Sequence, residues 1–242
     1  MTLTEAETRQ REYYQRTAHA YDAVHDEPEH LLALAYVVRY LEWLGATSVL
    51  DTGCGTGRAL RYLHQQLPDL KLRGNDPSEA MLAIAAQHGM PGEWLDAAES
   101  ERLPYANESF DAVIAIGVMH HVQNPEAIVR EMIRVARLGV FVSDSNIYGQ
   151  GSLPARLIKL GLARSGLLKP FNWARRGGRL WYESEGDGVA YSYSAFDSWP
   201  VLAEGCDHVL AIPTGGDRHA GRSPILHARH VLVCGFKVPL PV

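Results

Sequence analysis

Basic residues are in short supply. Lys and Arg total 23 against 28 acids, a formal net charge of −5. No bulk positive field draws the chain to nucleic acid or anionic lipid, so any such contact would need a local patch. Cysteine is sparser still. Cys54, Cys206 and Cys234 are odd in number, far apart, and form no CxxC-like pair. That excludes a disulfide framework and a cysteine metal site, so no metal is expected, and reduced thiols in a cytoplasmic protein are the expectation. Long hydrophobic runs are missing. The longest, LALAYVV (32–38) and AVIAIGVM (112–119), fall well short of the roughly 20 residues a membrane span needs. The opening MTLTEAETRQREYY is polar and predicts no signal peptide. No internal repeat or low-complexity tract stands out.

What is present suits one sizeable core. At 242 residues, 46% apolar and 21% charged, a single embellished domain is expected over 1–242. Residues 5–25 are polar with interspersed tyrosines, as for a helix lying against something. HLLALAYVVRYLEWL (30–44) reads as a buried helix ended by Gly45. Ser48-Val49-Leu50 opens a strand, and the next helix carries apolar residues at 59, 60, 63 and 67 before Pro68. LKLRGN (70–75) leads to Asp76, and Ser78 can cap SEAMLAIAAQHG. GEWLDAA (92–98) is a third strand and SFDAVIAIGVM (109–119) a fourth, apolar throughout, as when both faces are covered. Asn124-Pro125-Glu126 starts a helix that is expected to reach about Leu138, with GVFVSD (139–144) as the fifth strand. The rhythm breaks over 146–205. CDHVLAI (206–212) and RHVLVCG (229–235) then read as a terminal antiparallel pair with no obvious helix between them. Strands alternating with helices predict an α/β, Rossmann-like, mostly parallel sheet with helices on both faces.

The stretch VLDTGCGTG (49–57) meets the end of the first strand and the start of a helix. Such a junction lets backbone approach a ligand closely, and Gly53, Gly55 and Gly57 remove the Cβ atoms in the way. A dinucleotide fingerprint needs GxGxxG, and a phosphate loop needs Gly-Lys-Ser/Thr; GxGxG followed by Arg58-Ala59 is neither. Asp51 before the first glycine would repel a pyrophosphate and suits a cationic ligand. Asp76 can accept from ribose hydroxyls. Asp96-Ala97 can read an adenine edge, and Met81 can pack on a base. Acids at three successive strand ends aim into one crevice, the usual ligand site of an open α/β sheet.

With VLDTGCGTG, GNDPSEAML, LDAAESERLPYANESFDAVIAIGVMHHV and NPEAIVREMIRVARLG in order, the chain resembles class I S-adenosylmethionine-dependent methyltransferases, the type 11, ubiquinone/menaquinone-methyltransferase-like set. The likeness covers roughly 45–145. It implies a seven-stranded sheet with an antiparallel last strand and S-adenosylmethionine as cofactor, leaving S-adenosylhomocysteine. It implies that Gly53, Cys54, Gly55 and Gly57 approach the methionine portion. Asp51 would orient its amino end, Asp76 (beside Pro77) would hold the ribose, Asp96 and Ala97 would meet the adenine with Met81 nearby, and Gly117 and Val118 would line the sulfonium. Two departures are visible: Thr52 replaces an aliphatic residue, and no Pro-Gly-Gly follows the 124–138 helix.

His121 and, less directly, His120 stand at the mouth of the crevice as candidate bases. The acceptor side falls to the variable parts. Residues 1–30 would form a lid, with Tyr14 and Tyr21 on the cofactor. Residues 45–145 are the cofactor-binding core, 146–205 a substrate-cap insert, and 206–237 the terminal strands. In the insert, Asn146, Tyr148, Trp173, Tyr191 and Tyr193 are candidates for a flat or apolar small acceptor. Between Gly151 and Tyr182 lie seven basic residues and no acid, a solvated amphipathic helix or a face for an anionic substrate, a membrane surface or a partner. The expected reaction is methyl transfer to a small organic molecule, as in secondary metabolism, at oxygen before carbon or nitrogen. The alternatives are a tRNA-modifying methyltransferase, an NAD-dependent oxidoreductase, and a cofactor-binding protein without activity.

Overall fold

Ser48–Thr52 (β1) is the strand on which the architecture turns, and a computed structural model describes it within residues 4–24, 28–184 and 186–239. β1 pairs in parallel with Lys71–Asp76 (β2) on one side and Phe110–Ile116 (β4) on the other. Leu95–Ala97 (β3) extends the β2 edge, and Ala136–Ser145 (β5) extends the β4 edge, both in parallel. A two-stranded ribbon of Trp181–Ser184 (β6) and Gly188–Tyr191 (β7) stands apart. His208–Gly216 (β8) and Ala228–Phe236 (β9) complete the main sheet, in the order β3-β2-β1-β4-β5-β9-β8. β9 runs antiparallel to both neighbours, so the last strand reverses direction inside an otherwise parallel seven-stranded sheet.

Period-2 alternation explains why both faces are buried. Ile114, Phe141, Leu232 and Cys234 enter one core; their neighbours Val113, Ala115, Val140, Val142, Val231 and Val233 enter the other. The first core is closed by Pro28–Leu44 (α3), Arg58–Gln66 (α4) and Glu79–Gln87 (α5), through Leu34, Leu41, Leu60, Leu63 and Ala85. The second is closed by Pro125–Val135 (α6) and Trp199–Gly205 (α9), through Ile128, Met132 and Leu202. Each such fully buried aliphatic side chain contributes about 1.5–3 kcal/mol.

Two boundaries differ from the sequence pattern. α6 ends at Val135 and β5 begins at Ala136, with no turn between. A bulge in β5 goes with this: Phe110 pairs with Ala136 and Ala112 with Gly139, so Arg137 and Leu138 stand opposite Asp111, on which the Arg137 guanidinium seals the junction. The third strand is only Leu95–Ala97, because Gly92–Trp94 closes into a 3₁₀ turn after Pro91. Between β8 and β9 there is one helical turn, Pro224–His227 (α10), where the pattern shows none.

Glu5–Thr17 (α1) starts at a Thr4 capping box with Glu7 and leads through Ala18–Ala20 into Tyr21–Val24 (α2). α1 lies on the β6–β7 ribbon, where Arg9 pairs with Glu183 at 2.8 Å. Within 146–205, Leu153–Arg164 (α7) and Leu168–Arg175 (α8) precede that ribbon, whereas α9 packs on α6 and β9. α7 and α8 expose Leu157, Ile158, Phe171 and Trp173 beside their basic residues. No helix among the described residues is long and apolar enough to cross a membrane.

Candidate active site

The carboxyl ends of β1, β2 and β4 open into a cavity of about 810 Å³. Its floor is the loop after β1. Gly53, Gly55 and Gly57 all take positive φ (73°, 52° and 76°), a conformation that L side chains resist. Gly53 packs so closely under Val118 that a Cβ would sit 2.7 Å from its methyl groups, while Gly55 leaves its Cα face open to the cavity with only Met81 near. Gly57 has another task. It caps α4 against Ala85 and Met90 and takes no part in the cavity wall.

Two carboxylates share this wall. Asp76 Oδ2 accepts from the Gly55 N–H at 3.0 Å and Oδ1 from the Ser78 N–H at 2.8 Å, so the second strand braces the glycine loop. Burial pushes Asp76 up to about 6 despite these N–H groups. Asp51 is 2% exposed, and burial, then the neighbouring Asp76 charge, pushes it up to about 8. Carboxylates held this way gain from a cationic or hydroxyl-bearing ligand.

Cys54, Pro77, Met81, Gly117 and Val118 join the same wall, as do Tyr14 and Tyr21 from the N-terminal segment. Tyr14 meets Tyr21 edge-on at 5.9 Å and His121 at 6.3 Å. Asp22 ties the segment down: it accepts from Thr56 Oγ1 at 2.5 Å and pairs with Arg61 at 2.8 Å. Arg11 bonds Glu99 on the far rim. Asp96 and Ala97 are not brought to the wall. Asp96 turns instead to the Tyr105 hydroxyl at 2.7 Å, and the adjoining rim is formed by Ser100, Glu101 and Arg102 in the loop beyond.

The histidines part company. His121 lines the cavity, with Nδ1 2.7 Å from the Val189 carbonyl and Nε2 3.2 Å from Asp187 Oδ1. His120 is turned away, bridging Asp144 at 2.9 Å and Asp187 at 3.1 Å. Burial favours the neutral His120 ring, but the two carboxylates outweigh it and hold its pKa well above the ordinary value. For His121 to accept a proton from a molecule in the cavity, Asp187 would have to release Nε2.

A second cavity, about 340 Å³, adjoins the first and shares Val122, Gln123 and Tyr191 with it. Tyr148 and Tyr193 line it, their hydroxyls on Asp197 (2.8 Å) and Ser198 (2.6 Å). Asn146 and Trp173 lie outside both walls. The Asn146 amide is fully used: it donates to the Ala228 and Ile225 carbonyls and accepts from Ser194 Oγ and the Tyr148 N–H. Trp173 is 54% exposed on α8. The sequence pattern passed over Gln10, Thr56 and Asp187. Asp187 alone carried a signal, an acid between two glycines in GDG.

The family model described as a methyltransferase domain matches residues 50–143. Residues 50–143 form a class I, S-adenosylmethionine-dependent methyltransferase domain. The methyltransferase GfsG of Streptomyces halstedii is 33% identical over 111 residues, 43% of this chain and 39% of that protein. Demethylmenaquinone methyltransferase of Thermotoga maritima is 31% identical over 101 residues, 42% of this chain and 44% of that one. The matched region thus spans less than half of either relative. Among solved structures, magnesium protoporphyrin IX methyltransferase from Synechocystis PCC 6803, with S-adenosylhomocysteine bound, superposes with a TM-score of 0.62 at 17% identity, covering 97% of this chain and 100% of that one. That likeness concerns the fold. The methyltransferase domain's cofactor fits the cavity on the chain's own terms: an open glycine face, two buried carboxylates and a tyrosine-lined roof.

Proposed function

We propose that the chain transfers a methyl group from S-adenosylmethionine to a small organic acceptor, at oxygen before carbon or nitrogen. The observation that carries this reading is the pairing of Asp51 and Asp76 on one cavity wall with a second, tyrosine-lined cavity opening beside it. Bound there, the cofactor supplies an electrophilic methyl on a sulfonium whose charge disappears on transfer. The chain therefore has no new leaving-group charge to stabilise, and its task is positioning. Asp51 orients the amino end and Asp76 accepts from the ribose hydroxyls. Gly53, Cys54 and Gly55 leave room for the methionine portion, and Gly117 and Val118 line the sulfonium end. Met81 and the 99–102 rim enclose the base. The N-terminal segment, held by Asp22, roofs the site and excludes water. The acceptor enters past Tyr191 from the second cavity, with Tyr148 and Tyr193 in its wall and His121 at the junction.

Incubation with methyl-tritiated S-adenosylmethionine and a panel of phenols, hydroquinones and hydroxylated macrolactones tests the reading. Label should pass into the organic extract for at least one class. Label passing only into tRNA would move the acceptor to another class. Binding of NADH in place of S-adenosylhomocysteine would refute the cofactor.

A further inference from the structure

Asp187 draws two histidines onto one carboxylate. The loop between β6 and β7 carries it, and Gly188 (φ 80°) lets that loop press against α1, since a Cβ there would lie 2.5 Å from Gln10 Oε1. His120 Nε2 lies 3.1 Å from Asp187 Oδ2 and His121 Nε2 lies 3.2 Å from Oδ1. The ligating atoms of the three residues all fall within 4.8 Å of one another, the one such group among the described residues.

The outer nitrogens fix what the inner ones can do. A carbonyl oxygen only accepts, so His121 Nδ1, 2.7 Å from the Val189 carbonyl, carries a proton. The buried Asp144 carboxylate likewise takes a proton-bearing Nδ1 from His120. In neutral rings both lone pairs then sit on Nε2, and both face Asp187. Lone pairs and a carboxylate repel unless positive charge lies between them. A proton on His120 Nε2, 3.1 Å from Oδ2, supplies it on one side; buried His121 Nε2 lies 3.2 Å from Oδ1 but in poor line for a hydrogen bond. A cation placed off the N···O line serves all three groups at once.

We propose that His120 Nε2, His121 Nε2 and the Asp187 carboxylate bind one divalent transition-metal ion beside the active-site cavity, where His121 alone of the three reaches the wall. Ligand atoms held about 2.0–2.2 Å from a shared zinc ion stand about 3–3.5 Å apart, which the two histidine–aspartate distances meet. The contacts of Nδ1 with Asp144 and with the Val189 carbonyl are the outer-sphere partners that metal-bound imidazoles usually have; they fix the tautomer and raise ligand basicity. Two imidazoles and one carboxylate suit zinc, iron(II), cobalt(II) or nickel(II) rather than magnesium or calcium. Three protein ligands leave the ion positions for an oxygen of another molecule, and His121 already belongs to the cavity wall. The site goes beyond methyl transfer and does not depend on which molecule fills the cavity.

Zn²⁺ titrated by calorimetry into the full chain, first stripped with a chelator, tests this. One ion per chain should bind. In a sample labelled with ¹⁵N-histidine, two Nε2 resonances should shift on Zn²⁺ addition while their Nδ1 protons persist, a readout that needs no variant. Asp187→Asn should weaken Zn²⁺ binding at least about 100-fold, and Asp144→Asn about 10–100-fold. Asp187→Asn should still bind S-adenosylhomocysteine, which shows that it folds. Absence of stoichiometric Zn²⁺ binding, or binding that leaves those Nε2 resonances unmoved, overturns the site. S-adenosylhomocysteine binding by the same stripped sample separates that outcome from failure of the methyltransferase reading.

Discussion

Asp51 and Asp76 face one cavity from adjacent strands, and both are held above the usual carboxylate range. In the unfolded chain both ionise near pH 4; in the folded chain they retain protons to about 8 and about 6. Their contribution to stability is present below about pH 4 and is lost as pH rises through the folded values. A ligand bearing an ammonium group binds the ionised form. S-adenosylhomocysteine affinity should therefore rise between pH 6 and 8, with proton release visible as a buffer-dependent binding enthalpy, and Asp51→Asn should flatten that rise. Asp76→Ala removes the ribose acceptor and the brace on Gly55, so S-adenosylhomocysteine should bind at least about 100-fold more weakly, about 2.7 kcal/mol; calorimetry reads it. At this scale the sequence was informative where the backbone dictates the residue. Asp51, Gly53, Gly55 and Asp76 could be located from their place at strand ends. Asp96 could not be placed, because a strand end fixes where a Cα sits, and the Tyr105 hydroxyl decides where the carboxylate turns.

Elements hold the site through a few specific joints. Asp22 joins the N-terminal segment to Thr56 in the glycine loop and to Arg61 on α4. Asp22→Ala should loosen the roof while leaving the sheet intact: stopped-flow dissociation of S-adenosylhomocysteine should quicken about tenfold with less than about 1 kcal/mol lost in stability, as expected for partly exposed bonds. Gly57 joins α4 to α5. At φ 76°, with Ala85 and Met90 a few tenths of an ångström too close for a Cβ, Gly57→Ala should cost about 2 kcal/mol and lower Tm by about 4–8 °C. Helix starts were legible because they are local: Ser78 and Asn124 each accept from a first-turn N–H. The α6–β5 junction was not, because it depends on a bulge in β5 that only its pairing with β4 reveals.

At the scale of the whole molecule, alternation of strand and helix was enough to specify the parallel sheet, and the final apolar pair its reversed strand. The acceptor side stayed illegible for a topological reason. Tyr191 and Asp187 reach the His121 side of the cavity only because the β6–β7 ribbon folds back over the turn after β4, and nothing periodic in 146–205 encodes that return. Methyl transfer by this chain requires that the main cavity hold S-adenosylmethionine. Titration calorimetry of the full chain with S-adenosylhomocysteine, run beside NADH, is the most direct measurement. One S-adenosylhomocysteine should bind per chain in the micromolar range, about −8 kcal/mol, with no heat from NADH. Saturable NADH binding without S-adenosylhomocysteine binding would contradict the account.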